Sequence, residues 1–560
     1  MKEKKLSQPS FDLRCARCGW REPYQYPRSD CPQCGHDWLE TRYDYPAVRR
    51  LWDEHLARRP FDMWRYRELL PLRDDAHRLS MGEGGTPLYP ATNLSLMLGR
   101  PHIYVKDERQ NPTGSFKDRQ AALAISVMRE QGITEAVVAS TGNVAISYSA
   151  YSTRAGIKLW AFLTSTVPAD KMREVALYGS EVIKVTATYD ETKRVALSFA
   201  GRRNLMYDRG LKSIAARESM KTVAFEIAEQ LGQLLGPETP AQPRCAGQVW
   251  RAPDWYIQAV SGGLGPVGVW QGFTELEEMG LLSHRPRLAC IQAEGCAPMV
   301  HSFRAGLEVA EPVRNPTTHI ATVATGDPGA AYPFLRRVIL EHGGTFEMVS
   351  DEEAFRAMHV LAKMDGISME PAAAMAFAGL FKLVAEGTIA PDDVVVVNCS
   401  GHTFPVEKFL LGDDYARSVE AALPEEGVLA SLERLDRRVR RVAIIEDHPE
   451  AARLLRRVLQ AHGEYQIEEA YDGEAGLAMV RATPPDLILL DLMMPKMDGF
   501  TFIETLKADE RLADIPVIVV TARDLTAGER QRLNGHVRGL LQKGTFLSTD
   551  LLADIQELLK

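Results

Sequence analysis

Short apolar runs alternate with helix-length segments along most of the chain. From residue 46 to residue 410 the runs include HIYVKDE, EAVVAST, KLWAFLT, EVIKVTA, DWYIQAVSGG, RLACIQAEG and VVVVNCSG. Strands that are apolar at nearly every position, rather than at every second one, are typical of a parallel sheet with helices on both faces. The pattern therefore predicts an α/β fold for this region.

The same alternation starts again at residue 441 and continues to residue 560, with strands in RRVAIIEDHPE, PPDLILLDLMM, IPVIVVTARD and HVRGLLQKGTF. Residues 411–440 are first acidic and then rich in arginine, which favours a linker. A chain of 560 residues is expected to form several domains, because single cores seldom exceed about 250 to 300 residues. We predict an N-terminal module at 10–45, a large domain at 46–410, a linker at 411–440 and a smaller domain at 441–560.

The composition argues against two classes of partner. The hydrophobic fraction is 45%, the net charge is -9 and the isoelectric point is about 5.9, as in a globular protein without a basic surface for nucleic acid. No run approaches the roughly 18 apolar residues of a membrane span, and no apolar stretch follows the basic start MKEKKLSQPSFDLR. We therefore expect a cytoplasmic protein that binds neither nucleic acid nor a membrane.

Four of the eight cysteines lie close together near the N-terminus. Cys15 and Cys18 form one pair, and Cys31 and Cys34 form a second pair with the same spacing. Each pair can direct two thiolates at one ion, and four thiolates satisfy tetrahedral zinc, whereas four free thiols would not explain the spacing. Because a four-cysteine site has no open coordination position, we predict a structural zinc module.

Lys117 lies in the stretch NPTGSFKDR, which follows the strand HIYVKDE. Within this stretch, Lys117 comes shortly after a Pro-Thr-Gly-Ser turn. A lysine in a loop is normally a solvated charge. This one lies near the carboxyl end of a strand, where ligands bind in open parallel sheets. A partly desolvated amine at that edge has the lowered pKa that an imine-forming lysine requires, so Lys117 is a candidate nucleophile.

Two further turns fit a phosphorylated aldehyde. One strand ends at Ser140-Thr141-Gly142-Asn143, where hydroxyls and a helix N-terminus can meet an anion or a ring oxygen. Another ends at Ser261-Gly262-Gly263-Leu264-Gly265, where missing side chains let backbone amides surround a phosphate. A glycine-rich turn alone fits a tight strand-to-helix connection equally well, so its weight comes from its combination with Lys117.

Six segments together resemble threonine synthases of the fold type II family of pyridoxal-phosphate enzymes. They are GEGGTPL from Gly82, KDE from Lys106, NPTGSFKDR from Asn111, STGN from Ser140, EPA from Glu370 and SGH from Ser400. The resemblance covers residues 10–410 and implies a two-lobed enzyme, with parallel sheets and helices on both faces, that carries an N-terminal zinc ribbon. We also expect a homodimer.

The resemblance implies a role for each residue that matches a family motif. Lys117 binds the aldehyde of pyridoxal phosphate covalently and moves protons, and Asn143 hydrogen-bonds the ring oxygen. The residues that hold the phosphate are Gly262, Gly263, Leu264 and Gly265, and Ser400 meets the pyridine nitrogen. The implied activity is that of a carbon–oxygen lyase acting on a phosphate, in which O-phosphohomoserine and water give threonine and phosphate.

Three departures from the family bear on the substrate. Val144 has no hydroxyl, and the turn reads SGGLGPVG where the family more often has GNxGN. Arg217 is displaced by one place from the arginine expected near the substrate phosphate, and one place on a helix turns a side chain by about 100°. Another pyridoxal-phosphate enzyme, for β-replacement or deamination, therefore stays open as an alternative.

In the C-terminal region each apolar strand ends in a polar residue. These residues are Glu446, Asp447, Asp491, Thr521 and Lys543. A parallel sheet gathers such residues at one edge. Three acids placed together repel one another and attract a hard divalent cation such as magnesium.

This region resembles a response-regulator receiver domain with a flavodoxin-like (βα)5 fold. The resemblance implies that Asp491 is the phosphoacceptor and that a histidine kinase is the phosphoryl donor. Magnesium would be held by Glu446, Asp447, Asp491 and the Met493 carbonyl, and Thr521 and Lys543 would sense the phosphoryl group. A further alternative follows from this domain: a non-catalytic amino-acid sensor that signals through the receiver.

Overall fold

The computed structural model describes residues 11–24, 30–237, 242–402, 416–420, 441–460, 465–509, 511–521, 529, 532–533, 537 and 539–542. The chain divides into two compact units, Met1–Val428 and Leu429–Lys560. No helix among the described residues is long and apolar enough to cross a membrane.

The N-terminal cysteine module is a small antiparallel sheet. Strand β1 (Phe11–Cys15) lies between β2 (Arg21–Pro23) and β3 (Leu39–Tyr43). Alternate residues of β1 and β3 are buried, as expected for a strand with one covered face. Their apolar side chains join a core cluster that extends into the larger domain, so this module, which we call the ribbon, is part of the first unit. Helix α1 (Tyr45–His55) follows, and the Asp44 carboxylate caps it by accepting from the Ala47 N–H at 3.0 Å.

The rest of the first unit alternates strands and helices. Strands β4 to β16 are Leu88–Pro90, Ile103–Asp107, Glu135–Ser140, Lys158–Thr164, Glu181–Thr186, Met206–Tyr207, Arg244–Cys245, Gln248–Val249, Trp255–Ala259, Arg287–Ala293, Gly344–Val349, Val395–Cys399 and Ala416–Glu420. Helices α2 to α12 are Thr92–Leu98, Lys117–Glu130, Asn143–Ala155, Ala169–Leu177, Tyr189–Arg203, Ile214–Leu235, Leu264–Glu278, Pro298–Arg304, Ala331–His342, Asp351–Asp365 and Pro371–Ala385.

These strands form two main sheets, one in each lobe. The six-stranded sheet has the order β14-β13-β12-β15-β5-β4, and only the edge pair β4–β5 is antiparallel. The five-stranded sheet has the order β16-β8-β7-β6-β9 and is parallel throughout. The predicted α/β fold with two parallel sheets is confirmed. Strand β16 comes from the segment 411–440 that we expected to be a linker, and it pairs with β8 at the edge of the five-stranded sheet.

Helices α7 and α8 pack with their backbones unusually close. Gly268 and Gly272 lie four residues apart on the face of α8 that meets α7. A Cβ atom at Gly268 would lie 2.6 Å from the Arg217 carbonyl oxygen, and one at Gly272 would lie 2.7 Å from that of Lys221. The two glycines therefore set the position of α8, whose first turn borders the candidate site.

The second unit is a single five-stranded parallel sheet with the order β18-β17-β19-β20-β21. Its strands β17 to β21 are Arg441–Ile445, Gln466–Ala470, Leu487–Leu490, Val517–Thr521 and Gly539–Gln542, and its helices α13 to α15 are Pro449–Gln460, Gly473–Ala482 and Gly499–Ala508. Successive residues of β17, such as Ile444 and Ile445, belong to core clusters on opposite faces. This explains why β17, β19 and β20 are apolar at nearly every position, and the order confirms the predicted flavodoxin-like fold.

Candidate functional sites

A cavity of about 520 Å³ in the first unit brings together every residue predicted to hold the cofactor. These residues are Lys117, Asn143, Gly262, Gly263, Leu264, Gly265 and Ser400. They follow, in order, the carboxyl ends of β5, β6, β12 and β15. This is the edge at which parallel sheets bind ligands, so the sheet topology explains why residues so far apart in sequence meet.

Three of the helices that begin at the cavity start at residues predicted to hold the cofactor. Helix α3 begins at Lys117, α4 at Asn143 and α8 at Leu264. The first amides of a helix have no partner within it, and the helix dipole places partial positive charge at that end. The convergence of three such ends favours an anion, such as a phosphate, inside the cavity.

The Lys117 amine lies in the cavity, 4.1 Å from the centre of the Phe116 ring. Burial lowers the pKa of this amine from its usual 10.5 to about 8, and the charge of Glu370 opposes that shift. An amine with this pKa is partly unprotonated near neutral pH, and the unprotonated form is the one that attacks an aldehyde. The surroundings of Lys117 therefore suit a covalent role.

Asp118 fixes the turn that presents Lys117. One oxygen of its buried carboxylate accepts from the Thr113 N–H at 2.7 Å, and the other accepts from the Thr113 hydroxyl at 2.6 Å. Burial raises the pKa of Asp118 to about 7. The Phe116 N–H donates to the Ser400 carbonyl at 3.0 Å, so the same turn is also joined to the end of β15. These bonds hold Lys117 and Ser400 in a fixed relation.

Asn143 belongs to a hydrogen-bonded ring of three side chains that sequence reasoning missed. Its Nδ2 donates to Glu370 Oε1 at 2.7 Å, Lys171 Nζ donates to Asn143 Oδ1 at 2.5 Å, and Lys171 Nζ lies 2.6 Å from Glu370 Oε2. Gly142 leaves room for Lys171, because a Cβ there would lie 2.9 Å from Lys171 Cδ. Glu370 lies in a recognised motif, whereas Lys171 lies within α5 and carries no motif that could have pointed to it.

The glycine turn before α8 has the geometry of an anion cradle. Gly263 has a φ of +85°, and a Cβ on it would lie 2.7 Å from Ala331 Cβ. A Cβ at Gly265 would lie 2.4 Å from Gln258 Nε2. Side chains are thus excluded at both positions, which leaves the backbone amides as the groups that face a ligand.

Arg217 does not line the cavity. It is 1% exposed, its Nη1 donates to the Leu211 carbonyl at 2.8 Å and its Nη2 donates to the Leu39 carbonyl of the ribbon. Its guanidinium lies 4.7 Å from the centre of the Trp38 ring. The one-place displacement seen in the sequence therefore turns this arginine away from the ligand space. Val144, another of the three departures, does line the cavity.

The four ribbon cysteines are arranged around one point. Cys15 Sγ lies 3.6 Å from Cys34 Sγ, Cys18 Sγ lies 3.6 Å from Cys31 Sγ, and all four sulfurs lie within 4.8 Å of one another. Four sulfurs at the usual zinc–thiolate distance of about 2.3 Å are separated by roughly 3.8 Å in a tetrahedron. The cluster is therefore compatible with a zinc ribbon.

The second unit gathers its acids at the carboxyl edge of its sheet. Carboxylate oxygens of Glu446, Asp447 and Asp491 lie within 4.8 Å of one another, and Glu446 and Asp491 are buried. Asp491 follows β19, and Thr521 ends the neighbouring parallel strand β20. Met493 lies two residues after Asp491, and its side chain is 54% exposed. Lys543, the remaining predicted residue, lies outside the described residues.

Two families of known proteins match this chain. The family described as pyridoxal-phosphate dependent enzyme matches residues 79–401, and the response regulator receiver domain matches residues 442–556.

Several curated relatives are similar to the first unit. The threonine synthase of Methanocaldococcus jannaschii is 36% identical over 391 residues, which is 70% of this chain and 91% of that protein. The threonine synthase of Methanosarcina acetivorans is 31% identical over 397 residues, again 70% of this chain and 91% of that protein. Among solved structures, the processed form of threonine deaminase isoform 2 from Solanum lycopersicum is 22% identical with a TM-score of 0.46, over 57% of this chain and 84% of that one.

Proposed function

Because this chain belongs to the pyridoxal-phosphate dependent enzymes as a homologue of threonine synthases, and carries a C-terminal receiver domain, we propose a regulated lyase. Its reaction would convert O-phosphohomoserine and water to threonine and phosphate, and its receiver would be phosphorylated on Asp491 by a histidine kinase. The observation that carries the first part is the single cavity lined by Lys117, Asn143, the glycine turn and Ser400. The relatives, which are named threonine synthases, supply the reaction.

The residues present fit pyridoxal phosphate. The Lys117 amine suits the aldehyde carbon, the amides of the glycine turn suit the phosphate, and the Ser400 hydroxyl suits the pyridine nitrogen. When bound, this group supplies an electron sink that makes the α proton of an amino acid acidic. A hydroxyl at the pyridine nitrogen carries no fixed charge and so does not hold the ring protonated.

Lys117 is the group best suited to move protons. Because its pKa lies near 8, the amine can take a proton from a substrate carbon and return it at neutral pH. Asn143 can assist from the other side of the cavity. Its amide carries two N–H groups, and the ring with Lys171 and Glu370 leaves one of them for the ring oxygen of the cofactor.

The direct test uses the purified full chain with added pyridoxal phosphate. We expect the absorbance band of the lysine-bound cofactor and release of phosphate from O-phosphohomoserine, and Lys117→Ala should abolish both. Lys212→Ala in the same cavity should keep the band, because it leaves Lys117 in place. A wild-type chain that binds the cofactor but releases no phosphate would exclude this substrate.

A second candidate is a β-replacing or deaminating enzyme that acts on another amino acid. It is favoured by Arg217, which does not line the cavity and instead donates to the Leu211 and Leu39 carbonyls, and by Val144 in the lining. Release of ammonia and a keto acid from hydroxy amino acids, without turnover of O-phosphohomoserine, would support it. Ligand binding without any turnover would instead support the amino-acid sensor.

For the second unit, the acid cluster supports a phosphoacceptor with magnesium. The Asp491 carboxylate lies among Glu446 and Asp447, and a magnesium ion held by such oxygens neutralises an incoming phosphoryl group. Acetyl phosphate in the presence of magnesium should label the full chain, and Asp491→Ala should prevent labelling. Labelling that survives this change would place the acceptor elsewhere.

A further inference from the structure

One wall of the candidate active-site cavity is bonded from behind to the cysteine ribbon. Residues 207–212 all line the cavity, and they comprise the end of β9 and the short 3₁₀ turn Gly210–Lys212. We call this segment the substrate wall. Arg209 and Lys212 belong to it, and both residues line the cavity.

Three contacts join the substrate wall to residues 30–39 of the ribbon. This segment carries Cys31 and Cys34, and we call it the second knuckle. Arg209 Nη1 lies 3.3 Å from Asp30 Oδ2, and the Lys212 ammonium bonds the Asp37 carboxylate. Arg217 adds the third contact, because its guanidinium donates to the Leu211 carbonyl of the wall and to the Leu39 carbonyl of the ribbon.

All ribbon partners of these contacts lie within residues 30–39, which contain Cys31 and Cys34. The knuckle is closed by backbone bonds from the Cys31 N–H to the His36 carbonyl at 2.8 Å and from the Gly35 N–H to the Cys31 carbonyl at 2.9 Å. A knuckle of this kind is held in one shape when its thiolates bind a common ion. The wall is therefore contacted by the segment of the ribbon whose shape would depend on an ion bound to the cysteines.

Arg217 is the contact that matters most. The Arg209 and Lys212 pairs are about one-third to one-half exposed, and exposed pairs contribute little. Arg217 is 1% exposed, and its two carbonyl partners would lose a charged donor if it were removed. Trp38 of the ribbon packs over its guanidinium and excludes water from it.

On its inner side the wall is anchored to the enzyme core. The buried Asp208 accepts from the Tyr148 hydroxyl of α4 at 2.7 Å and from the Gly210 N–H at 2.7 Å. The wall is thus held both by the ribbon and by helix α4. Loss of the outer contacts should loosen Arg209 to Lys212 without moving Lys117, which lies on α3.

We propose that the ribbon positions the substrate wall through Arg217, so that substrate binding depends on the ribbon while cofactor attachment does not. Arg217 is a positioning residue that acts through the wall it holds. The dependence of substrate binding on the ribbon rests on the proposed function, whereas the dependence of the wall's conformation on Arg217 does not. Arg217, which is displaced by one place from the family position, thus contributes to the candidate active site from the side of the wall that faces the ribbon.

The test compares variants of the full-length chain. Arg217→Gln should raise KM for O-phosphohomoserine about tenfold, with kcat and the absorbance band of the lysine-bound cofactor little changed, because a buried charged hydrogen bond to the wall is lost. Asp37→Asn should have a smaller effect of the same kind. Arg42→Gln is the matched control, because Arg42 lies on β3 of the ribbon and pairs with Glu40 and Glu278 rather than with the wall.

Hydrogen exchange supplies a readout that does not require turnover. Peptides covering 207–213 should exchange faster in Arg217→Gln, in Asp37→Asn and after removal of zinc by a chelator, whereas the turn 261–265 should not change. If Arg217→Gln does not fold, Asp37→Asn and chelation decide alone. Unchanged exchange at 207–213 in every arm, or an equal rise in Arg42→Gln, would overturn the proposal. Absence of O-phosphohomoserine turnover in the wild type would count against the proposed function only.

Discussion

The two units arrange the charged groups of their candidate sites in opposite ways. In the first unit the buried Lys171 ammonium lies 2.6 Å from the buried Glu370 carboxylate, so the protein supplies both signs of charge. In the second unit the carboxylates of Glu446, Asp447 and Asp491 converge within 4.8 Å. Like charges at such distances repel, and a divalent cation balances them. The first site balances its charges with its own side chains, whereas the second has an excess of negative charge that the proposed magnesium ion would balance.

The balance of charge in the first unit extends to the residues behind Lys117. Arg119, on the helix that begins at Lys117, lies 2.7 Å from Glu108 Oε1 and 2.6 Å from Glu226 Oε1, and Lys106 lies 2.7 Å from Glu226 Oε2. All four side chains are fully buried. Burial tends to raise the pKa of Glu226, but Arg119 and Lys106 lower it to about 2, so this carboxylate stays ionised at neutral pH. Balanced charge of this kind fixes α3 before any ligand arrives.

The largest effect is expected from breaking a buried pair in the first unit. Glu370→Leu leaves the Lys171 ammonium, which is 3% exposed, without its counter-charge. Removal of one partner of a buried pair costs about 3 to 5 kcal/mol. Urea unfolding followed by tryptophan fluorescence measures this loss in the first unit alone, because all eight tryptophans lie between residues 20 and 270.

Two further variants show whether burial is the cause. The double variant Lys171→Met/Glu370→Leu should recover part of the lost stability, because no unpaired charge remains. Lys496→Gln removes a pair of equal length in the second unit, Lys496 to Asp472 at 2.6 Å, but Lys496 is 61% exposed. We expect a far smaller change there, and hydrogen exchange in β17 and β19 measures it because the second unit has no tryptophan. Equal losses from Glu370→Leu and Lys496→Gln would remove the contrast between the units.

Magnesium should stabilise the second unit and leave the first unchanged. At a magnesium concentration of one hundred times its dissociation constant, binding to the folded state adds about 2.7 kcal/mol. Hydrogen exchange in β17 and β19 should slow on addition of magnesium in the wild type and much less in Asp447→Asn, which removes one of the three carboxylates. Equal slowing in the variant would mean that the ion binds elsewhere.

Substitution of glycines at close backbone contacts should cause a smaller loss of stability. Gly268→Ala would place a Cβ 2.6 Å from the Arg217 carbonyl, and the helix backbone cannot easily move away, so we expect a loss of about 1 to 3 kcal/mol. In the second unit the three atoms nearest to a Cβ at Gly476 all belong to the Ile445 side chain, the closest at 2.7 Å, and a side chain shifts more readily than helix backbone. Gly476→Ala should therefore cost less. Gly201→Ala, in helix α6 with nothing within 4 Å, should be neutral or stabilising. A loss at Gly201 as large as that at Gly268 would contradict the packing explanation.

These comparisons also show which features can be predicted from sequence. Lys117, Asn143, the glycine turn and Ser400 follow strand ends, and the topology of a parallel sheet brings strand ends together, so their meeting in one cavity was predictable. Glu446, Asp447 and Asp491 were predictable for the same reason. The fold itself followed from strands that are apolar at every position.

The supporting side chains were not predictable. Lys171 and Arg217 lie inside helices, where a charged residue normally faces solvent, and their burial depends on partners that are distant in sequence. Lys171 meets Glu370 across 199 residues, and Arg217 meets Leu39 across 178. A displaced arginine could be recognised in the sequence, but only the packing of α7 against the ribbon shows what it contacts.

The last prediction concerns the Lys117 amine, which lines the cavity. Its folded-state pKa of about 8 lies below the usual 10.5 mainly because of burial. The unfolded chain therefore binds more protons at this site between those two pH values, and stability rises with pH across that window. Below pH 8 the penalty is fully present, and above 10.5 it is absent. The free energy of unfolding of the cofactor-free chain should thus rise between pH 8 and 10 more steeply in the wild type than in Lys117→Met, as measured by tryptophan fluorescence. Lys117→Met removes only this titration. If the free energy of unfolding depends on pH in the same way in both proteins, the Lys117 amine is solvated and behaves as an ordinary surface charge.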